Sequence, residues 1–143
     1  MELALFGSRI EVDETFVRAS TADIRSQVRE YERGDRRQFT LDTKIPGGLL
    51  GEVMEAMTEL PYGETRSYGA LATDLDTAPI AIGGACARNP VPVIVPCHRV
   101  VRSDGSLGGY SAADGVTDKR RLLDFEARTD ESYVVQTSLP NVR

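Results

Sequence analysis

Asn89-Pro90-Val91-Pro92-Val93-Ile94-Val95-Pro96-Cys97-His98-Arg99-Val100-Val101 is the stretch from which the rest of this 143-residue chain is read. Val91 to Val95 include four apolar β-formers, and the prolines at 90, 92 and 96 keep the chain out of helix, so the segment reads as buried and extended. Pro96 fixes its own φ, which presents Cys97 at a defined place where the rigid segment ends. Cysteine reacts as the thiolate, whose free pKa of about 8.5 falls beside imidazole or cationic partners. His98, the only histidine of the chain, is its neighbour. Adjacent residues of an extended segment point to opposite sides, so cooperation between the two needs a bend or an intervening water. A lone Cys beside a lone His is a buried structural residue about as often as a nucleophile; the prolines tilt the balance toward a placed thiol.

Composition bounds the answer. A chain of 143 residues, 41% of them hydrophobic, builds one compact domain, or that domain with a small subdomain in front. No apolar run approaches 18 residues and no signal-peptide pattern opens the chain, so a soluble, cytoplasmic protein is expected, with no membrane partner. Cys86 and Cys97 are too few for a disulfide framework or a four-cysteine zinc site, and no metal is expected. Net charge is −5, the wrong sign for a protein that holds a polyanion. The excess is local: residues 46–95 carry six acids and two bases, whereas 1–45 carry nine and eight, and 96–143 seven and seven. Fifteen of the seventeen basic residues are Arg, a bias of proteins soluble in high salt, so a halophilic source is expected. The alternative is an ordinary acidic bacterial protein.

Outward from the central stretch, the periodicities define elements. Leu3, Leu5 and Phe6 with Ile10 and Val12 around Gly7-Ser8 resemble a short hairpin. Ser20-Thr21-Ala22-Asp23 offers an N-cap, Ile24, Val28 and Tyr31 follow at helical spacing, and Gly34 stops the chain, predicting a helix over 21–33. From Gly48, Leu49, Leu50, Val53, Met54 and Met57 recur as the core face of a second helix. After the turn at Pro61-Tyr62-Gly63-Glu64, Ser67 caps a short helix through Leu75, and Thr77 caps another over roughly 78–88. Together they outline a helix-turn-helix. The second of these helices is almost devoid of long side chains, and each glycine in a helix interior costs about 1 kcal/mol relative to Ala. Either another helix packs closely on Gly83 and Gly84, or a partner's backbone does. Ser103-Asp104-Gly105 and Leu107 to Ser111 form a glycine-rich loop. A last helix, about 117–128, places Glu126 on the face of Leu122 and Leu123, where a carboxylate needs a partner such as His98.

These residues carry a resemblance. Pro96-Cys97-His98-Arg99-Val100-Val101, with Asn89-Pro90 before it and Gly108-Gly109-Tyr110 after it, resembles the active-site signature of the O6-alkylguanine-DNA alkyltransferases. Pro61-Tyr62-Gly63-Glu64-Thr65, Ser67-Tyr68-Gly69, Gly83-Gly84-Ala85 and Leu122-Leu123 with Glu126 fall in that family's order and approximate spacing. The resemblance implies an α+β fold: a small N-terminal strand and helix subdomain (1–45), a mainly helical catalytic domain with a helix-turn-helix (46–128), and a tail (129–143). The family's N-terminal domain is usually longer, so a pared-down version is expected here.

The resemblance also implies a chemistry. DNA guanine alkylated on O6 would be flipped from the stack, and the Cys97 thiolate would take the alkyl group irreversibly, once per molecule, with no cofactor. Glu126 would orient His98, which through a water would take the thiol proton, Tyr68 would protonate the guanine ring nitrogen, and Asn89 would brace the turn. Tyr110, Ser111, Val100, Cys86 and Gly108 are expected to bind the base, although Cys86 also reads as a small core residue. Ile80, Ala81, Gly83, Gly84, Arg88 and Arg99 are expected to meet DNA in the minor groove, the protein acting as a monomer. Where the family carries an Arg that fills the space left by the flipped nucleotide, this chain has Ile80. An apolar wedge can separate bases without that charge. A lesion-binding sensor without transfer is the alternative; a cysteine hydrolase is disfavoured by the adjacency of Cys97 and His98.

Overall fold

The computed structural model describes residues 1–109 and 115–142, with side chains as far as Asp130. Strands β1 (Glu2–Leu5) and β2 (Ser8–Glu11) pair antiparallel, with Leu3 opposite Ile10. The two-residue connection demands positive φ at both positions, and Phe6 (φ 51) and Gly7 (φ 81) supply it. A turn of 3-10 helix at Glu14–Phe16 leads to helix α1 (Thr21–Glu32). Ser20 caps α1 by accepting from the Asp23 amide, and Ile24, Val28 and Tyr31 form its buried stripe. Helix α2 (Gly48–Thr58) buries Val53, Met54 and Met57 as its spacing requires.

The next elements set the site. Strand β3 (Arg66–Ser67) pairs in parallel with β4 (Val100–Val101), Arg66 beside Val100 and Ser67 beside Val101. This short ladder brings Tyr68, the first residue of helix α3 (Tyr68–Asp74), alongside the chain that leaves Cys97. Ser67 caps α3 through the Ala70 amide. Asp76 (φ 54) turns the chain into helix α4 (Pro79–Ala87), completing the helix-turn-helix outline. Thr77 is not the cap of α4: the N-cap position is Ala78, which has no side chain to cap with, and Pro79 occupies the first turn, where its missing N–H costs nothing.

The stretch from Asn89 to Val101 differs from the extended segment its β-formers suggest. It is a buried tight turn, with a bridge between Pro92 and Val95 and the Val95 amide donating to Val91 O at 2.9 Å. Val93 adopts φ 73, a left-handed conformation rare for a β-branched residue. Cys97–Arg99 then forms one turn of 3-10 helix, a bend in place of continued extended chain. Helix α5 begins at Val116 and runs through to Val142, past the expected stop near 128. One cluster of buried side chains spans the chain, joining Leu3, Val12, Ile24 and Tyr31 to Met54, Ile82, Val91, Leu122 and Phe125. The fold is mixed α and β, and no helix among the described residues is long and apolar enough to cross a membrane.

Candidate active site

The 3-10 turn sends Cys97 and His98 in different directions. Cys97, 5% exposed, lines a cleft of about 780 Å³ together with Tyr68, Gly83, Gly84, Cys86 and Gly108. His98 is fully buried, and its Nε2 lies 2.7 Å from Oε2 of Glu126, which is also fully buried. Arg99 forks onto the same carboxylate, with Nε 2.8 Å from Oε1 and Nη2 2.9 Å from Oε2, while Nη1 donates to Leu60 O. Tyr31 donates its hydroxyl to Oε2 at 2.7 Å, and the Gly63 amide reaches Oε1 at 3.3 Å.

These contacts settle the protonation of the group. Burial pushes the His98 pKa down, Arg99 and Lys119 add to this, and Glu126 opposes it without prevailing, so His98 is neutral. Burial alone would keep Glu126 protonated; the hydrogen bond from His98 and the hydrogen bonds and charge of Arg99 outweigh that and hold its carboxyl well below the usual range. With the imidazole neutral, Arg99 is the positive charge that keeps Glu126 ionised. An ionised carboxylate only accepts hydrogen bonds, so Nε2 carries the imidazole proton and Nδ1 carries a lone pair. Nδ1 is buried and has no hydrogen-bond partner among the described residues. The lone pair leaves that atom chemically able to accept a proton.

Tyr68 also lines the cleft, and burial, reinforced by the thiols of Cys86 and Cys97, pushes its pKa up to about 12. Lys119, fully buried, donates to the Tyr68 hydroxyl at 3.2 Å, to Val100 O at 2.6 Å and to Gly109 O at 3.2 Å. Burial lowers the lysine's pKa, while the thiolate forms of Cys97 and Cys86 favour its charge. Because the ammonium donates to the phenol oxygen, the phenol's own proton is left to point elsewhere. Gly108 (φ 74) packs directly on Tyr68: a Cβ there would lie 2.9 Å from the ring. Asn89 bridges the buried turn, donating to Val95 O at 2.8 Å and accepting from the Val91 amide at 3.1 Å.

Helix α4 forms another side of the cleft. A Cβ on Gly83 would meet nothing within 4 Å, and on Gly84 only the Arg88 guanidinium at 3.5 Å. Among the described residues no second helix packs on the Cβ side of these glycines, which leaves room there for a close approach. Ile80 stands at the rim, 86% exposed, and Arg88 is exposed at the helix end. Ala81 is half-buried outside the cleft.

Two site expectations differ from the structure, and a third falls outside the described residues. Arg99 does not face outward to DNA: a buried guanidinium needs a counter-charge, and Glu126 supplies it. Val100 is fully buried and contributes its carbonyl to Lys119, not its side chain to the cleft. Tyr110 and Ser111 lie outside the described residues. Lys119, Tyr31 and the cleft residue Arg102 are additions. Lys119 had a sequence signal, being one of only two lysines and standing on the helical face of Leu122, Leu123 and Glu126. Cys86 lines the cleft with its thiol 3.6 Å from Met57 Sδ, and burial lifts its pKa to about 12, which disfavours its thiolate. Among the described residues no three His, Cys, Asp or Glu side chains are grouped to hold a metal.

Residues 50–128 match the model of the family described as 6-O-methylguanine DNA methyltransferase, DNA binding domain. The chain is 40% identical over 112 residues to the inducible methylated-DNA–protein-cysteine methyltransferase of Bacillus subtilis, covering 76% of this chain and 62% of that protein. It is 36% identical over 113 residues to the Archaeoglobus fulgidus methylated-DNA–protein-cysteine methyltransferase, covering 76% of each. The crystal structure of Mycobacterium tuberculosis O6-methylguanine methyltransferase superposes with TM-score 0.70 and 35% identity over 77% of this chain and 67% of that one. A complex of the Mycobacterium tuberculosis protein OGT with DNA gives TM-score 0.71 and 36% identity over 76% and 66%. The chain thus spans about three fifths of the Bacillus subtilis relative's length.

Proposed function

The chain belongs to the 6-O-methylguanine DNA methyltransferase family, and from that premise we propose that it repairs DNA by moving an alkyl group, methyl first, from O6 of guanine to Cys97. The observation that carries the reading is the pairing of a cleft-lining Cys97 with a neutral His98, whose lone-pair nitrogen is backed by an ionised Glu126. His98 Nδ1 takes the thiol proton through a water, and the Cys97 sulfur attacks the alkyl carbon. The S–C bond forms as the C–O6 bond breaks, and the electron pair goes to the guanine. Tyr68 gives its proton to the ring nitrogen that becomes basic, and the Lys119 ammonium at 3.2 Å steadies the phenolate left behind. A thioether has no thiol-exchange route back, so each molecule acts once.

DNA enters from the α4 side. The open glycine face admits the backbone of a minor groove, Arg88 and Arg102 are the exposed cations beside it, and Ile80 acts as the wedge at the site of the flipped nucleotide. Ile80 also gives the sensor reading its one support, because a protein lacking the arginine could hold a lesion without extruding it.

Incubation with an oligonucleotide bearing O6-methylguanine, at low and molar salt, followed by intact-protein and peptide mass spectrometry, separates the two readings. The expected result is one methyl on Cys97, absent from Cys97→Ala. Tight binding with no mass change at either salt rejects transfer and establishes the sensor.

A further inference from the structure

We infer that Tyr31, on helix α1, is a positioning residue of the thiol-activating group: its hydroxyl sets how strongly Glu126 holds His98. The inference rests on the proposed role of His98 as the base for Cys97. Tyr31 lies outside residues 50–128, the part matched to the family, and in the segment to which the sequence assigns no activity. It is fully buried, its ring packed on Phe39, Tyr62 and Phe125 at centroid distances of 5.7, 6.2 and 5.8 Å. A phenylalanine would fill that packing role equally well. The hydroxyl, however, donates at 2.7 Å to Oε2 of Glu126, the same oxygen that receives His98 Nε2 at 2.7 Å and Arg99 Nη2 at 2.9 Å.

Three donors therefore compete for one carboxylate oxygen, and each weakens the hold of the others. Burial and the facing Glu126 push the Tyr31 pKa well up, so the phenol remains a donor throughout the working range. The other groups bearing on the pair are Arg99 and Lys119 against His98, the Gly63 amide and Tyr62 against Glu126, and Arg37, which sits over the Tyr62 ring. The hydrogen bond that the Tyr31 hydroxyl makes goes to Glu126, so its removal is a change at that carboxylate. Without it the carboxylate turns more of its charge to the imidazole, which favours the imidazolium and removes the free base at a higher pH than in the parent protein.

The single histidine makes this directly readable. Protein labelled with 15N at histidine reports tautomer and protonation of His98 alone, and the same samples give the single-turnover transfer rate against pH. Tyr31→Phe keeps the ring. It is expected to raise the pH at which His98 becomes imidazolium and to move the acid limb of the rate profile with it, leaving transfer about tenfold slower than the parent on that limb and nearly equal well above it. Placing 3-fluorotyrosine at position 31 strengthens the donor and shifts both readouts the opposite way, which keeps the test available if Tyr31→Phe does not fold. A variant that changes only melting temperature, with the histidine titration and the rate profile unmoved, overturns the inference. If the parent protein transfers no methyl, the proposed function fails, whereas the histidine titration still decides whether Tyr31 controls His98 through Glu126.

Discussion

At the scale of single residues the site is organised by two buried charges, Glu126 and Lys119, seven positions apart on α5. Glu126 collects donors from Tyr31, Gly63, His98 and Arg99; Lys119 gives its own to Tyr68, Val100 and Gly109. In the proposed reaction one prepares the base and the other supports the proton donor. Lys119→Met keeps the apolar stem and removes the ammonium. It should slow methyl transfer roughly 10- to 100-fold while leaving affinity for the modified oligonucleotide within about twofold, a split read by single-turnover kinetics and fluorescence anisotropy. Equal losses in rate and affinity would assign Lys119 to architecture alone. Gly108→Ala meets both a positive φ and the Tyr68 ring, so it should cost about 1–3 kcal/mol and displace the tyrosine, seen as a lower urea midpoint together with slower transfer.

At the scale of elements, α4 carries a conflict between stability and use. Glycine weakens a helix, yet none of the described residues occupies the space beside Gly83. Gly83→Leu should accordingly raise stability by about 0.5–1 kcal/mol and lower DNA affinity at least tenfold, opposite movements that thermal melting and anisotropy titration record separately. A fall in stability would mean that the glycine serves the fold. Ile80 extends from the same helix into solvent, so Ile80→Arg should leave the melting temperature unchanged. It should strengthen binding to duplex DNA at low salt and steepen the slope of log affinity against log salt by about 0.9, the mark of one added phosphate contact. An unchanged slope would place position 80 away from the phosphates.

At the scale of the whole molecule, the N-terminal segment is tied into the catalytic half. The Asp13 amide donates to Pro90 O at 2.8 Å, Arg121 reaches Phe6 O at 2.7 Å, and Arg37 pairs with Asp130 at 2.6 Å. Unfolding therefore exposes the buried titrating groups together, and the sign of the pH dependence follows. His98 and Glu126 both have folded pKa values below their ordinary 6.5 and 4.5, so the unfolded chain binds protons more readily than the folded one. Their stabilisation is complete above pH 6.5, declines below it through His98, and declines more steeply below 4.5 through Glu126. Tyr68 and Cys86 work the other way: their stabilisation is complete below their ordinary 10 and 9 and is lost toward about 12, while Lys119, lowered from 10.5, opposes part of that loss. Urea midpoints across this range should show a plateau between about pH 7 and 9 and falling limbs on both sides. A midpoint that rises on acidification from 6.5 would show that His98 is charged in the folded protein.

The order of residues by itself determined the helices, the hairpin, the prominence of Cys97 and His98 and the need of Glu126 for a partner, and the family resemblance added Tyr68. Periodicity and capping are local, and the Pro-Cys-His-Arg stretch is contiguous. Tertiary structure alone decided the rest. The β-formers of Val91 to Val95 close into a turn because Asn89 bridges them and the core surrounds them on all sides, which overrides local propensity. Arg99 read as an outward cation because burying a guanidinium is unfavourable without a counter-charge, and that charge lies 27 residues away at Glu126. Tyr31 meets Glu126 across 95 residues, and a hydrogen bond over that separation leaves no periodic trace in a single sequence. The glycines of α4 could serve a neighbouring helix or an outside partner, and the space that the described residues leave open beside Gly83 favours the second.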